Sequence, residues 1–118
     1  MSDRELIRLA AKAAGVNGPQ VQGFDGMVIG NERDGHIFWN PLKDNGDALR
    51  LAVDLRMEVY HGEDEGAAVY ASYTNPSRAA IAYMIEYYDD INNMGDPYAA
   101  TRRAIVRAAA QIGENNGN

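Results

Sequence analysis

The chain has no cysteine, which excludes a disulfide framework, a thiolate nucleophile and a Cys-ligated zinc site, and is compatible with a reducing compartment. It also lacks an apolar run of about 18 residues, the length a membrane-spanning helix requires. Its first fourteen residues interleave Asp3, Arg4, Glu5, Arg8 and Lys12 with the apolar positions, unlike a secretory leader. A cytoplasmic protein with no membrane partner is therefore expected. Positive charge is scarce as well: 11 Lys and Arg stand against 17 Asp and Glu, a net charge of −6. That field repels phosphate backbones and argues against nucleic acid as a partner.

Side chains for nucleophilic chemistry are few, namely Ser2, Ser72, Ser77, some threonines, His36 and His61. Ser2 reads as a helix cap and Ser77 as a turn residue, and no local motif places a nucleophile beside a base. Neither G-x-G-x-x-G nor the Walker pattern occurs among the glycines. His61, Glu63, Asp64 and Glu65 carry potential metal ligands but read more simply as a solvated acidic turn. Asp90, Asn92 and Gly95 match three positions of a calcium loop, yet Met94 and Thr101 occupy positions that need oxygen ligands. No catalytic residue, metal or cofactor is expected, and the chain reads as a non-enzyme, with an uncharacterised hydrolase or transferase as the least supported alternative.

What remains is ordinary globular material, 118 residues with 46% hydrophobic and 24% charged, enough for one core and too little for two. Ser2 and Glu5 form a capping-box pattern ahead of Leu6, Leu9, Ala10 and Ala13, predicting a helix ended by Gly15. A Gly-rich loop leads to a strand at Met27–Ile29, and a polar turn separates it from a second at His36–Trp39. Asp44 to Asp47 supply start signals for a helix with Ala48, Leu51, Ala52 and Leu55 on one face. Met57–His61 and Ala67–Tyr73 read as strands. Between Arg78 and Asp90 the propensities conflict. Period-two alternation of Ala79, Ile81, Tyr83, Ile85 and Tyr87 selects strand over helix. Asp96 followed by Pro97 opens the last helix, and Gly113 is expected to close it.

The prediction is thus a single α+β domain over residues 1–113 in the order αββαβββα, with a flexible polar tail at 114–118. Short connections favour an antiparallel sheet of four to five strands packed with three helices.

Three stretches carry a resemblance: Arg4 to Ile7 with Leu9 to Gly15, Trp39 to Leu42 with Gly46 to Val53, and Asp96 to Ile112. They resemble a group of small tailed-phage and prophage proteins marked by a WNPL…DGDALRLAV stretch and a DPYAATRRAIVRAAA helix. The looser pattern is similar to NinX-like proteins and to the phage ABA-sandwich domain. The resemblance covers about half of the chain and implies a fold and a phage setting inside a host cell. It implies no reaction.

Candidate binding residues follow from position. On the last helix Tyr98, Arg102, Ile105, Ala109 and Ile112 share a face, while Arg103 and Arg107 point nearly opposite. The opposite pair reads as a solvated outer face or, more sharply, as a basic site for an acidic partner. Arg102, if buried, needs a partner; a structural ion pair is the plain expectation. An anion site shared with the N–H groups of the helix start is the functional one. Trp39, beside Asn40, either plugs the core beneath the second helix or stacks on a ligand. The tyrosines, Tyr83 among them, form either half-buried sheet structure or an aromatic recognition surface. Taken together these features predict a phage accessory protein acting by binding, to a host protein in a counter-defence role or to an anionic small molecule such as a nucleotide signal. Self-association through an exposed strand edge is compatible with the pattern.

Overall fold

The computed structural model describes residues 1–20, 26–31, 35–62, 67–74 and 80–115. The elements run α1 (Asp3–Ala14), β1 (Met27–Asn31), β2 (Gly35–Trp39), α2 (Asn45–Asp54), β3 (Glu58–Gly62), β4 (Ala68–Thr74), β5 (Ala80–Tyr87) and α3 (Pro97–Asn115). The predicted α+β order is the observed one, with the five strands divided between an antiparallel pair, β1–β2, and an antiparallel three-stranded sheet, β3–β4–β5. The acidic turn at 63–66, the turn at 75–79 and the last three residues lie outside the described residues.

Local chemistry explains the helix ends. The Ser2 hydroxyl accepts from the Glu5 N–H at 3.1 Å, satisfying one of the free donors of the first turn. The Glu5 carboxylate does not reach back as in a full capping box; it accepts from Arg8 one turn on. Gly15 stops α1 in the left-handed conformation, φ 71°, which glycine adopts without steric cost. Asp44 caps α2 by accepting from the Asp47 N–H at 2.8 Å. Asp47 is itself buried, because its carboxylate accepts from the Asn40 N–H at 2.9 Å and from Arg50 at 2.8 Å. The same aspartate therefore ties the end of β2 to the start of α2.

The Gly-rich stretch after α1 does more than connect. Gln20 bridges to Met27, and the Val28 N–H donates to the Pro19 carbonyl at 3.0 Å, so residues 18–20 lie alongside β1. A Cβ on Gly18 would lie 2.2 Å from the Val28 carbonyl oxygen, so only glycine permits that approach.

In the three-stranded sheet Tyr60 pairs with Tyr70, and Tyr70 with Ile85. Side chains alternate across a strand, so the register divides the sheet into two unlike faces. Val59, His61, Val69, Ala71, Ala82, Met84 and Glu86 face the helices. Tyr60, Tyr70, Tyr83, Ile85 and Tyr87 face away. The strand reading of the ambiguous segment is thereby borne out over Ala80–Tyr87.

Helix α3 occupies the centre. It packs on α1, on α2 and on β4 and β5, and its buried residues, from Ala100 through Ala104, Ile105, Val106 and Ala108 to Ile112, point in every direction around its axis. A helix with buried residues on every side is an interior helix. This corrects two expectations. Gly113 does not end α3, which continues to Asn115; a Cβ there would lie 2.1 Å from the Leu9 carbonyl oxygen of α1, so the glycine lets two helix backbones touch. Nor do Arg103 and Arg107 form a solvated outer face, because α1 and β5 occupy that side. Arg103 is 18% exposed and pairs with Asp3 at 3.1 Å, with Glu86 4.0 Å away, while Arg107 pairs with the other Glu86 oxygen. Glu86 is buried, and it also accepts from the Asn93 amide at 2.9 Å. A carboxylate on the inner face of a sheet is tolerated only with such partners.

Candidate groove between the second and third helices

Between α2, β3 and the first turns of α3 lies a groove of about 550 Å3. Asn45, Ala48, Leu49 and Ala52 of α2 form one wall, Val59 and His61 of β3 another, and Pro97, Tyr98, Thr101, Arg102 and Ile105 of α3 the third. The alanines of α2 sit where larger side chains would fill the space. Most of the lining is apolar, with a few polar groups placed at set points, the usual character of a small-molecule site.

Two polar clusters mark the groove. At the start of α2, the Arg102 Nε donates to the Leu42 carbonyl at 2.8 Å and its Nη1 donates to the Asn45 Oδ1 at 2.7 Å. Both acceptors are neutral, so they orient the guanidinium without neutralising it. The expected ion pair to a carboxylate is not formed among the described residues. On the β3 side, His61 Nδ1 hydrogen-bonds the Tyr88 hydroxyl, and its Nε2 lies 3.5 Å from the Thr101 Oγ. Thr101 gives its own proton to the Pro97 carbonyl at 2.7 Å, so its oxygen faces His61 as an acceptor. In this arrangement Tyr88 donates to Nδ1 and the Nε2–H donates to Thr101, a chain that ends at a backbone carbonyl. Although threonine, histidine and a phenol stand in the order of a nucleophile, base and orienter, the threonine proton points away from the base.

The predicted site residues do not converge. Tyr98 and Arg102 meet in the groove, and Tyr98 is 67% exposed at its rim. Trp39 is buried in the core with Leu42, Ala48 and Leu51, the plug of the two alternatives. Asn40 is a turn residue: its Oδ1 accepts from the Leu42 N–H at 3.1 Å, and its carbonyl accepts from Lys43 and Asp44. Arg103 belongs to the Glu86 cluster on the other side of α3. Tyr83 lies on the outer face of the sheet, half-exposed, its ring 6.3 Å from Tyr70, which in turn stacks on Tyr60 at 4.7 Å. The tyrosines therefore divide, since Tyr73 packs inward and Tyr88 serves His61. The helix start does not join Arg102 as an anion site: Asp96 caps it, accepting from the Tyr98 N–H at 2.9 Å, and so puts a carboxylate there.

Sequence reading missed His61 and Thr101 as a pair, and Val59 and Leu49 as lining. The partial signal for them was the exposure of Leu49 implied by its position off the α2 apolar stripe, and the alternation that sends Val59 and His61 to one face. Among the described residues no group of acidic and histidine side chains is arranged to hold a metal ion, and no helix is long and apolar enough to cross a membrane. In comparison with known proteins, no family model matches the chain, and neither a curated protein nor a solved structure gives a significant match.

Proposed function

We propose that the protein acts by binding and that the groove between α2, α3 and β3 is its binding site. The observation that carries this reading is a concave, mainly apolar surface of about 550 Å3 left open beside a well-filled core, a volume typical of small-ligand sites. The commitment of the Thr101 proton to Pro97 supports binding over acid–base chemistry at the same place. A screen of small aromatic and aliphatic fragments by amide NMR tests it. Shifts should concentrate on Ala48, Ala52, Val59, Thr101 and Ile105. A screen with no responding fragment, or with responses clustered elsewhere, overturns it.

A second reading, that of a phage or prophage accessory protein engaging a host protein, is favoured by a separate observation. Tyr60, Tyr83 and Tyr87 stand 52%, 49% and 37% exposed on the outer sheet face, and aromatic side chains of this kind anchor protein interfaces. A host partner captured stoichiometrically by the parent protein, and lost with the Tyr60→Ser and Tyr83→Ser double variant, supports it. No stoichiometric partner, or capture indifferent to both substitutions, refutes it.

A further inference from the structure

We propose that the ligand of the groove is an amphipathic monoanion, an aryl or short alkyl body bearing a single carboxylate, with the carboxylate on Arg102. This rests on the groove being the binding site and adds the chemistry of its occupant.

The charge distribution carries the proposal. In a chain with 17 acidic against 11 basic residues, the groove lining contains no aspartate or glutamate and does contain Arg102 and His61. Four other arginines, Arg8, Arg50, Arg103 and Arg107, are each paired with a carboxylate. Arg102 instead has two neutral acceptors that fix its plane through Nε and Nη1 and leave Nη2 without an acceptor among the described residues. A fixed guanidinium with unused N–H groups is pre-organised for a carboxylate, which accepts from it with little further loss of side-chain freedom. His61, held by Tyr88 and Thr101 on the opposite wall, adds no negative charge.

The rest of the lining decides what the anion is attached to. Ala48, Leu49, Ala52, Val59, Pro97 and Ile105 offer no polar atom from their side chains. A polyphosphate would place further charges against these residues without counter-charges, a costly arrangement. One charge on an apolar body satisfies both parts of the groove, and Tyr98 at the rim can lie over an aromatic ring.

The probes are 4-phenylbutyrate, the isosteric neutral 4-phenylbutyramide and ADP, titrated against the full chain by amide NMR at fixed salt. The acid should bind saturably at the groove residues, about tenfold or more tighter than the amide, as expected for a charge-assisted contact. ADP should bind more weakly than the acid. Arg102→Gln should abolish the difference between acid and amide. Should that variant fail to fold, the acid-to-amide ratio on the parent protein decides alone. Equal binding of acid and amide, or tighter binding of ADP, overturns the proposal while leaving the groove a binding site. No groove binding by any of the three, while other fragments bind there, also overturns it. If no fragment of any kind binds there, the groove reading falls with it.

Discussion

Replacing Gly113 by alanine should destabilise the protein, although the substitution improves the helix-forming tendency of a position in the last turn of α3. Ala is favoured over Gly in a helix interior by about 1 kcal/mol, so a glycine with open surroundings would gain stability when replaced. At Gly113 a new Cβ would stand 2.1 Å from the Leu9 carbonyl oxygen and 2.9 Å from its carbon. Both are backbone atoms of another helix, which cannot rotate aside as a side chain can. Relief requires α1 and α3 to separate along their shared interface, where Leu6, Leu9, Ala10, Val106 and Ala110 are packed. Overpacking of this kind costs about 1–3 kcal/mol and more where backbone must move. Because the clash is with backbone, the cost falls in the upper part of that range, about 2–3 kcal/mol, and subtracting the propensity gain of about 1 kcal/mol leaves a net loss of about 1–2 kcal/mol. For a domain of this size that corresponds to a fall in Tm of roughly 3–10 °C. Urea unfolding followed by the fluorescence of Trp39, the single and buried tryptophan, gives the value directly. Gly46→Ala is the control, because its nearest neighbours, at 3.1–3.3 Å, are side-chain atoms of Arg50 and of the capping Asp44 rather than the backbone of another helix; its loss should be well below that of Gly113→Ala. A G113A protein equal to or more stable than the parent would refute the close approach of the two helices.

Other expectations follow from the polar clusters. Glu86→Ala removes the shared acceptor of Arg107 and Asn93 and the carboxylate 4.0 Å from Arg103, which keeps Asp3; with Arg107 partly open to solvent, a loss of about 1–3 kcal/mol is expected from the hydrogen bonds removed, read as a drop in the urea midpoint. Asp47→Ala strands the Asn40 N–H at the end of β2 and should cost about 1–3 kcal/mol, with Asp44→Ala, a simple cap loss, nearer about 1 kcal/mol. The hydrogen bond from Arg8 holds the Glu5 carboxyl below the ordinary glutamate range, with the Arg8 charge adding to it and slight desolvation opposing. A depressed folded pKa means that the contribution is complete above the unfolded pKa and fades as pH falls through the folded one. The pair is solvent-accessible, so carbon-detected titration of Glu5 should show the lowered midpoint, moving back toward the ordinary value in molar salt.

Much of the fold was legible because its local signals agree with its long-range demands. Ser2, Gly15, Asp44 and Asp96 act at helix ends as their chemistry dictates, and the alternation from Ala79 to Tyr87 outweighs helix propensity because β4 is adjacent and ready to pair. The faces of α3 were not legible from a two-sided amphipathic picture. That picture assigns one side to water, whereas α3 has neighbours on three sides. The clue was present in Ala99, Ala100, Ala104, Ala108, Ala109 and Ala110, small residues on every side of the helix, which only an interior helix needs. The groove was half legible: Tyr98 and Arg102 share a helical face, but its β3 wall depends on which residues of a short strand turn inward, and that is set by pairing with β4. The neutral partners of Arg102 could not be read at all, since the Leu42 carbonyl lies 60 residues away in the chain.

The central position of α3 also bears on how the molecule comes to be made. Asp3 and Arg103, which pair across the first and last helices, are 100 residues apart, and the floor on which α1 rests is supplied by α3. Ribosomes deliver the chain in order, at about 5–20 residues per second. For several seconds the apolar side of α1 and the inner face of the sheet have been synthesised and have nothing to cover them. Folding of the nascent chain is therefore a late, nearly all-or-none event that waits for α3, and a stall or truncation ahead of residue 97 leaves a sticky incomplete molecule rather than a smaller stable one.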